Sequence, residues 1–452
     1  MNKLYRARWV LPISSPQILD GAIAVQGERI AAVGRYVDLA ETFPEATVDD
    51  FGEAAILPGL VNAHTHLELT AMRGFLEAEE SNFFGWLKKL TIARLERMTP
   101  DDLYVSAAWG ACEAARAGIT CVGDASEAAG QSMRALRDAG LRGTVYQESF
   151  GPDPRLASEN FEKLKSKVAA LKEVETPLVH AGVSPHAPYT VCPTQLEMIS
   201  EFALAEHLPV MMHVAESTAE ESLLRGGDGP FADSFAQRGI RWFTPGCSGV
   251  QHLAAHGILR TKPLLTHCIH VDDADIDTIK ENGASIAHCP KSNAKLGHGR
   301  APLAKFLDAA IPLGFGSDSV ASNNTCDILE EARFAVLLAR LEKNASPGAP
   351  PTSANDALGV ATLSGARALG FGEQIGALEA GRQADFTAVT LNGAHQLPVY
   401  EPAAALIFAS SGRDVRMTVV AGREVYRDGR MMTVDEARLR ARMGEISKKL
   451  ST

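Results

Sequence analysis

Residues 57–74 read LPGLVNAHTHLELTAMRG. An apolar run gives way to His64-Thr65-His66, and the chain then turns polar. Side chains alternate faces along a strand, so His64 and His66 point the same way. On an inward-facing strand of a parallel barrel, both project into the mouth at the carboxyl ends of the strands, where barrel active sites are built. Two imidazoles side by side in an apolar interior are costly as ordinary core residues. A metal ion accounts for them, provided that other strands end in the same kind of residue.

From residue 57 onward, strand-like apolar runs alternate with helix-length amphipathic segments. Strands are expected at 60–66, 119–124, 143–149, 178–186, 209–215, 264–268, 284–289 and 311–318. Clear helical patterns lie at 101–117, 131–139, 158–173, 194–207, 273–282, 302–310 and 325–343. Thr99-Pro100-Asp101 and Pro193-Thr194 are helix-start signals. Eight strands with helices between them predict an α/β fold, a (β/α)8 TIM-type barrel. The fourth run ends in His186, the fifth in His213, the sixth in His267, the seventh in His288 and the eighth in Asp318. A satisfied core histidine explains any one of these well and the whole set poorly.

The two ends of the chain differ from the middle. KLYRARWVL, GAIAVQG and RIAAVG near the start, and ADFTAVTL, VRMTVVAG and REVYRDG after residue 380, read as short strands between turn signals. Both ends are therefore expected to form one small discontinuous β-sandwich domain. It takes residues 1–56 and 379–452, the latter including a C-terminal tail, with the barrel over 57–378. NASPGAPPTSAND, 344–356, is the most linker-like segment. Phe83, Phe84 and Trp86 fall on the loop after the first barrel strand, where Trp86 is a candidate to cover a substrate; packing is the commoner role for such aromatics.

Bulk properties exclude several classes. A chain of 452 residues, 46% hydrophobic and 22% charged, is a globular protein with room for a large barrel and a smaller domain. The net charge of -11, with no long basic run, argues against a nucleic-acid partner. No apolar run reaches the roughly 18 residues of a membrane span, and Pro12 breaks the N-terminal apolar stretch, so no secretory signal is expected. Seven cysteines, odd in number and without CxxC, argue against a disulfide framework or a cysteine-rich zinc site and favour the cytoplasm. His66-Leu67-Glu68 matches half of the HxE…PCxxC signature of another class of zinc deaminase, but no PCxxC follows.

Several histidines with a carboxylate suit zinc or ferrous iron. A catalytic metal also holds a water and lowers its pKa towards neutrality. A base must then take the proton. Glu216, in HVAES, follows His213 by three residues and is placed to face the substrate instead of the metal.

PGLVNAHTH, GVSPHAPYT, HVAES, THCIHV, HCPKSNAKLGHG and GSDSVASNN occur in this order across the barrel, and GALEAGRQADF leads back to the small domain. Together they resemble the amidohydrolase superfamily, in its branch of nucleoside and nucleobase deaminases. The resemblance implies that His64, His66, His213 and Asp318 bind one divalent metal, Zn2+ first and Fe2+ second. It implies that Glu216 shuttles a proton to a ring nitrogen, that His267 orients the attacking water, and that Asp318 accepts a proton from it. His186 is implied to contact substrate. Binuclear members carry a modified lysine on the fourth strand; PLVHAGVSPHAPY has none, which favours a mononuclear site.

SPHAPYT and SDSVASNN look most like the deaminases of 5′-modified adenosines, which act on S-adenosylhomocysteine and methylthioadenosine. Those enzymes usually carry a Glu after an aromatic helix to hold the ribose; FFGWLKKLTIARLERMT offers Leu95 and Glu96 there instead. HTHLEL, with Glu68 behind the histidine pair, and CPKSNAKLGHGRAP look more like aminodeoxyfutalosine deaminases of menaquinone biosynthesis. Aminodeoxyfutalosine therefore ranks first and the thio-nucleosides second, ahead of guanine or cytosine deamination, triazine hydrolysis and amide-ring opening. A metal-free binding protein on the same barrel is the rival from another class. The partner is a small nucleoside; homo-oligomerisation is left open. Arg155, in DPRLASEN, is a candidate for a substrate carboxylate, with a surface arginine opening a helix as the plainer account. Ser292, Asn293 and Ser322 are candidates to line the pocket.

Overall fold

The computed structural model describes residues 2–342 and 352–451. The N-terminal part supplies β1 (Asn2–Val10), β2 (Ile18–Gln26), β3 (Arg29–Arg35), β4 (Thr47–Asp50) and β5 (Ala54–Pro58). The barrel strands follow as β6 (Leu60–Thr65), β7 (Ile119–Ser126), β8 (Arg142–Ser149), β9 (Val179–Pro185), β10 (Met211–Val214), β11 (Leu264–His267), β12 (Ser285–His288) and β13 (Leu313–Phe315). The chain returns with β14 (Phe386–Thr390), β15 (Val415–Val420), β16 (Arg423–Arg427) and β17 (Arg430–Met431).

All eight expected barrel strands form. β6–β9 and β10–β13 are two runs of parallel strands. Single parallel bridges, Val183 to Val210 and Thr65 to Asp318, join the two runs at both seams and close the ring. These strands are buried on both faces, which is why they read as near-continuous apolar runs. β13 approaches β6 through glycine: a Cβ on Gly314 would lie 2.6 Å from the Ala63 Cβ. The helix Pro100–Arg116 starts with the Thr99/Asp102 capping box, and Pro193–Ala205 opens on its proline, both at the expected signals.

The two chain ends meet in one connected nine-stranded sheet, in the order β17-β16-β15-β14-β5-β1-β2-β3 with β4 also on β1. Its seam is β5, parallel to β1 on one side and antiparallel to β14 on the other. Arg142 at the start of β8 clasps Asp385 just before β14 with two bonds of 2.9 and 3.0 Å, fastening barrel to sheet. The C-terminal tail is a helix, Glu436–Ser451, tied to the barrel helix Pro100–Arg116 through Arg442 to Asp101 and Lys449 to Asp102.

Two expectations are corrected. Phe83, Phe84 and Trp86 lie on a helix, Phe83–Arg97, and not on a loop; the Asn82 side chain caps it by accepting from the Gly85 amide. β13 ends at Phe315, so Asp318 lies three residues beyond the strand, with φ of 55°. The linker expected at 344–356 falls largely outside the described residues. Among the described residues, no helix is long and apolar enough to cross a membrane.

Candidate metal centre and active site

His64, His66, His213 and Asp318 converge at the carboxyl-terminal mouth. His66 Nε2 lies 3.3 Å from His213 Nε2, and Asp318 Oδ1 lies 3.3 Å from His64 Nε2 and 3.6 Å from His66 Nε2. Tetrahedral ligands on a divalent ion at zinc bond lengths stand about 3.3 Å apart. His64 Nε2 is buried and has no hydrogen-bond partner. An orphaned ring nitrogen facing a carboxylate and two further imidazoles fits one divalent cation. Burial lowers the pKa of all three imidazoles, His66 to about 3, and so holds them in the neutral form that binds metal.

Outer contacts fix the direction of each donor. His213 Nδ1 donates to the His186 carbonyl at 2.8 Å, which leaves Nε2 for the centre. Asp318 Oδ2 accepts from Ser292 at 2.5 Å and Ser322 at 3.1 Å, which leaves Oδ1 for the histidines. His267 Nδ1 meets Asn293 Oδ1 at 2.9 Å, turning Nε2 towards Glu216 Oε1 at 3.5 Å. Ala215, His267 and Asp318 have left-handed backbones at φ of 53°, 75° and 55°. Non-glycine residues held there are strained, and such strain gathers at functional sites.

Glu216 is buried, and that burial raises its carboxyl pKa against the pull of His267. Its Oε2 accepts from the Tyr189 hydroxyl at 3.3 Å. The buried Glu220 carboxylate accepts the Ala215 and Glu216 amides at 2.7 and 3.1 Å and so holds this loop. Above the centre opens a cavity of about 610 Å³. His186 lines it, and burial pushes its pKa down to about 3. Phe83, Phe84, Trp86, Tyr189, Phe231 and Phe235 supply aromatic walls.

Several candidates stand elsewhere than expected. Ser292, Asn293 and Ser322 do not line the cavity; they lie behind it and hold Asp318 and His267. Arg155 is outside the cavity, 70% exposed at its side chain and bound by its own neighbour Asp153. The arginines on the cavity wall are Arg94 and Arg238. Glu68 faces the cavity but is 1% exposed and fully engaged, accepting from Arg94, Ser126 and the Ala128 amide. Leu95 reaches the cavity wall; Glu96 does not. His288 ends β12 away from the cluster, its Nδ1 unpartnered. Glu148 is a residue that sequence reasoning passed over, although it closes the third strand as the histidines close theirs; burial raises its pKa to about 8.

A closed parallel barrel with this donor set, a buried carboxylate and a wide mouth defines a metal-dependent hydrolase. The amidohydrolase family model matches residues 55–425, and the chain belongs to that family; it acts on carbon–nitrogen bonds. A short match to an imidazolonepropionase-like composite domain covers residues 21–46 of the terminal sheet. A 5-methylthioadenosine/S-adenosylhomocysteine deaminase of Syntrophobacter fumaroxidans is 34% identical over 93% of this chain and 92% of its own length. One of the same name from Moorella thermoacetica is 32% identical over 96% of both chains. Among solved structures, an adenosine deaminase from Xanthomonas campestris with bound zinc superposes with a TM-score of 0.83 at 28% identity, over 99% of this chain and 98% of that one. An atrazine chlorohydrolase from Arthrobacter aurescens, at 24% identity and TM-score 0.82 over 98% and 99%, shares the fold.

Proposed function

We propose that the protein hydrolytically deaminates the adenine ring of a 5′-substituted adenosine. The observation that carries this is one cavity that brings together His66, His213, Asp318, Glu216 and His267 beside the buried His64, with His64/His66/Asp318 and His64/His213/His267 as possible metal-holding groups and Glu216 3.5 Å from His267. A divalent ion held by His64, His66, His213 and Asp318 would supply a water of lowered pKa as nucleophile. Glu216, raised in pKa by burial and facing the cavity, would take a proton from that water as its oxygen bonds to the ring carbon, and would give it to the ring nitrogen beside the amine. His267, fixed by Asn293, orients the water. Asp318 would accept the second proton of that water and pass it to the amine nitrogen, so that the ring carbon–nitrogen bond breaks and ammonia leaves. His186 holds the base from the fourth strand. We assign zinc ahead of ferrous iron, since imidazole nitrogens with one carboxylate oxygen suit it.

The names of the relatives favour methylthioadenosine and S-adenosylhomocysteine over aminodeoxyfutalosine. The engagement of Glu68 with Arg94 and Ser126 argues the same way, because Glu68 was the residue that singled out aminodeoxyfutalosine. Arg238, not Arg155, is the guanidinium we assign to a substrate carboxylate. We also take the terminal sheet, with 1–56 and 379–452, as the small sandwich domain beside a 57–378 barrel. Its shared apolar cluster, with Tyr5, Ile23, Phe386, Met417 and Val419, supports this. Seven free cysteines, six of them buried, are in keeping with a reducing cytoplasm.

The test is ammonia release by zinc-loaded protein from methylthioadenosine, S-adenosylhomocysteine, aminodeoxyfutalosine, adenosine and guanine. Preference for a 5′-modified adenosine is the expected result. Metal-loaded protein that releases ammonia from none of the adenine nucleosides would overturn the proposal.

A further inference from the structure

Three imidazoles at the barrel mouth turn Nδ1 to a partner, and one of the partners is unlike the others. His213 Nδ1 meets the His186 carbonyl at 2.8 Å, and His267 Nδ1 meets Asn293 Oδ1 at 2.9 Å. His64 Nδ1 instead meets a thioether, the Met211 Sδ, at 3.1 Å. Met211 is the first residue of β10 and fully buried; it stands two residues before His213 and so on the same side of that strand. It belongs to an apolar cluster with Ala63 of β6, Cys121 of β7 and Leu264 of β11. Glycine makes room for it: a Cβ on Gly123 would lie 3.1 Å from the Met211 methyl carbon. A thioether sulfur carries no proton and can only accept. Its contact with the ring is therefore a hydrogen bond only when the proton is on Nδ1. With the proton on Nε2, two lone pairs would face each other.

We propose that Met211 is a positioning residue for the metal centre: its sulfur accepts from His64 Nδ1–H and so keeps Nε2 bare and turned to the divalent ion. The proposal rests on the reading of His64 as a metal ligand. A neutral imidazole has two tautomers, and only the nitrogen without a proton binds metal. For His64 the competing arrangement is close at hand, since Asp318 Oδ1 stands 3.3 Å from Nε2 and would accept a proton placed there. That pairing would occupy two ligand atoms at once. Met211 opposes it from the other side of the ring. Metal-bound imidazoles are held in this way by a partner on their second nitrogen, ordinarily a carboxylate, a carbonyl or water. Here a sulfur takes that place. A thioether is a weak acceptor but a polarisable one. Both His64 and Met211 are fully buried, so no water competes for the Nδ1 proton.

The experiment compares wild type with Met211→Leu, which keeps the apolar bulk and removes the acceptor. Met212→Leu is the control: the same change one residue along β10, at a buried position on the other face of the strand. The whole chain, metal-free and carrying isotope-labelled histidine, is read by nitrogen NMR at about pH 8, above the ordinary imidazole pKa of about 6.5. Wild type and Met212→Leu should carry the His64 proton on Nδ1. Met211→Leu should shift it towards Nε2, where Asp318 accepts it. Titrated against a chromophoric chelator, Met211→Leu should bind Zn2+ about tenfold more weakly than wild type, and Met212→Leu within about twofold of it. A wild-type His64 protonated on Nε2 overturns the proposal. So does a folded Met211→Leu that keeps either the tautomer or the zinc affinity of wild type. An equal loss of zinc affinity in Met212→Leu would show a packing effect and overturn it too. If Met211→Leu does not fold, the site of the wild-type proton decides alone. Zinc that leaves the wild-type His64 Nε2 signal unmoved shows that His64 holds no metal; that overturns the metal-ligand reading itself and is recognisable as that separate failure.

Discussion

Removing the Ser292 hydroxyl should weaken zinc binding by about 10–100-fold and leave the fold intact. Ser292 is fully buried and donates to Asp318 Oδ2 at 2.5 Å; Ser322 donates to the same oxygen at 3.1 Å. Together they hold the carboxylate so that Oδ1 faces His64 and His66. A hydrogen bond to a charged acceptor is worth about 1.5–3 kcal/mol. A tenfold to hundredfold change in affinity is about 1.4–2.8 kcal/mol, so the two scales agree if most of that bond serves to aim the ligand. Ser322→Ala should fall at the low end, because its bond is longer and Ser292 remains. The double variant should lose less than the sum, since the two hydroxyls also touch each other at 2.9 Å. The assay is titration of metal-free protein with Zn2+ against a chromophoric chelator, with the melting temperature of the metal-free variant as control. A folded Ser292→Ala protein that binds zinc within twofold of wild type would refute the reasoning.

Glu216→Gln should keep its metal, read by elemental analysis, and lose about 10²–10⁴ in turnover; near-normal turnover removes Glu216 from proton transfer. Asp385→Asn strands the buried Arg142 guanidinium, a loss of about 3–5 kcal/mol. For a chain of this length that lowers Tm by about 3–5 °C by calorimetry, and an unchanged Tm would count against the clasp. On S-adenosylhomocysteine, Arg238→Ala should raise KM and Arg155→Ala should not; the reverse result restores Arg155 to the site. Burial raises the Glu331 carboxyl from 4.5 to about 8 against the pull of Lys291. The folded state then keeps a proton that the unfolded chain releases, so this group makes stability fall as pH rises from about 4.5 to about 8. Glu331→Gln should flatten that fall, measured as denaturant midpoints at pH 5 and pH 8; an unaltered slope assigns the titration elsewhere.

The barrel was legible because its strands are buried on both faces, so a polar residue at the end of an apolar run stands out. That contrast picked out His64, His66, His186, His213, His267, His288 and Asp318 as candidates, of which all but His288 stand at the barrel mouth. Applied to the third run it also points to Glu148, which needed no further signal. What a strand end does not reveal is direction. Ser292, Asn293 and Ser322 do reach the candidate site, but they bond Asp318 and His267 from behind and do not face the cavity. Arg155 takes the plainer of its two readings, an exposed arginine whose guanidinium is captured by Asp153, two residues earlier. The helix Phe83–Arg97 hid because its apolar residues face both cavity and core and leave little periodicity. The similar texture of the two chain ends foretold their meeting, but not the strand order, since pairing depends on edges that no local pattern records.

The seam between β5 and β14 has a consequence for synthesis. Ala54–Pro58 pairs with Phe386–Thr390, more than three hundred residues later. At ribosomal rates, that length of chain takes about 15–65 s to emerge. Throughout that interval β5 can pair with β1 but offers its other edge to any strand nearby, including that of a neighbouring nascent chain. Ribosome-bound intermediates of this protein are thus exposed to wrong pairing until the last sixth of the chain is out. Slowing elongation late in the message, or truncating it before residue 386, should raise aggregation without touching a single residue of the catalytic mouth.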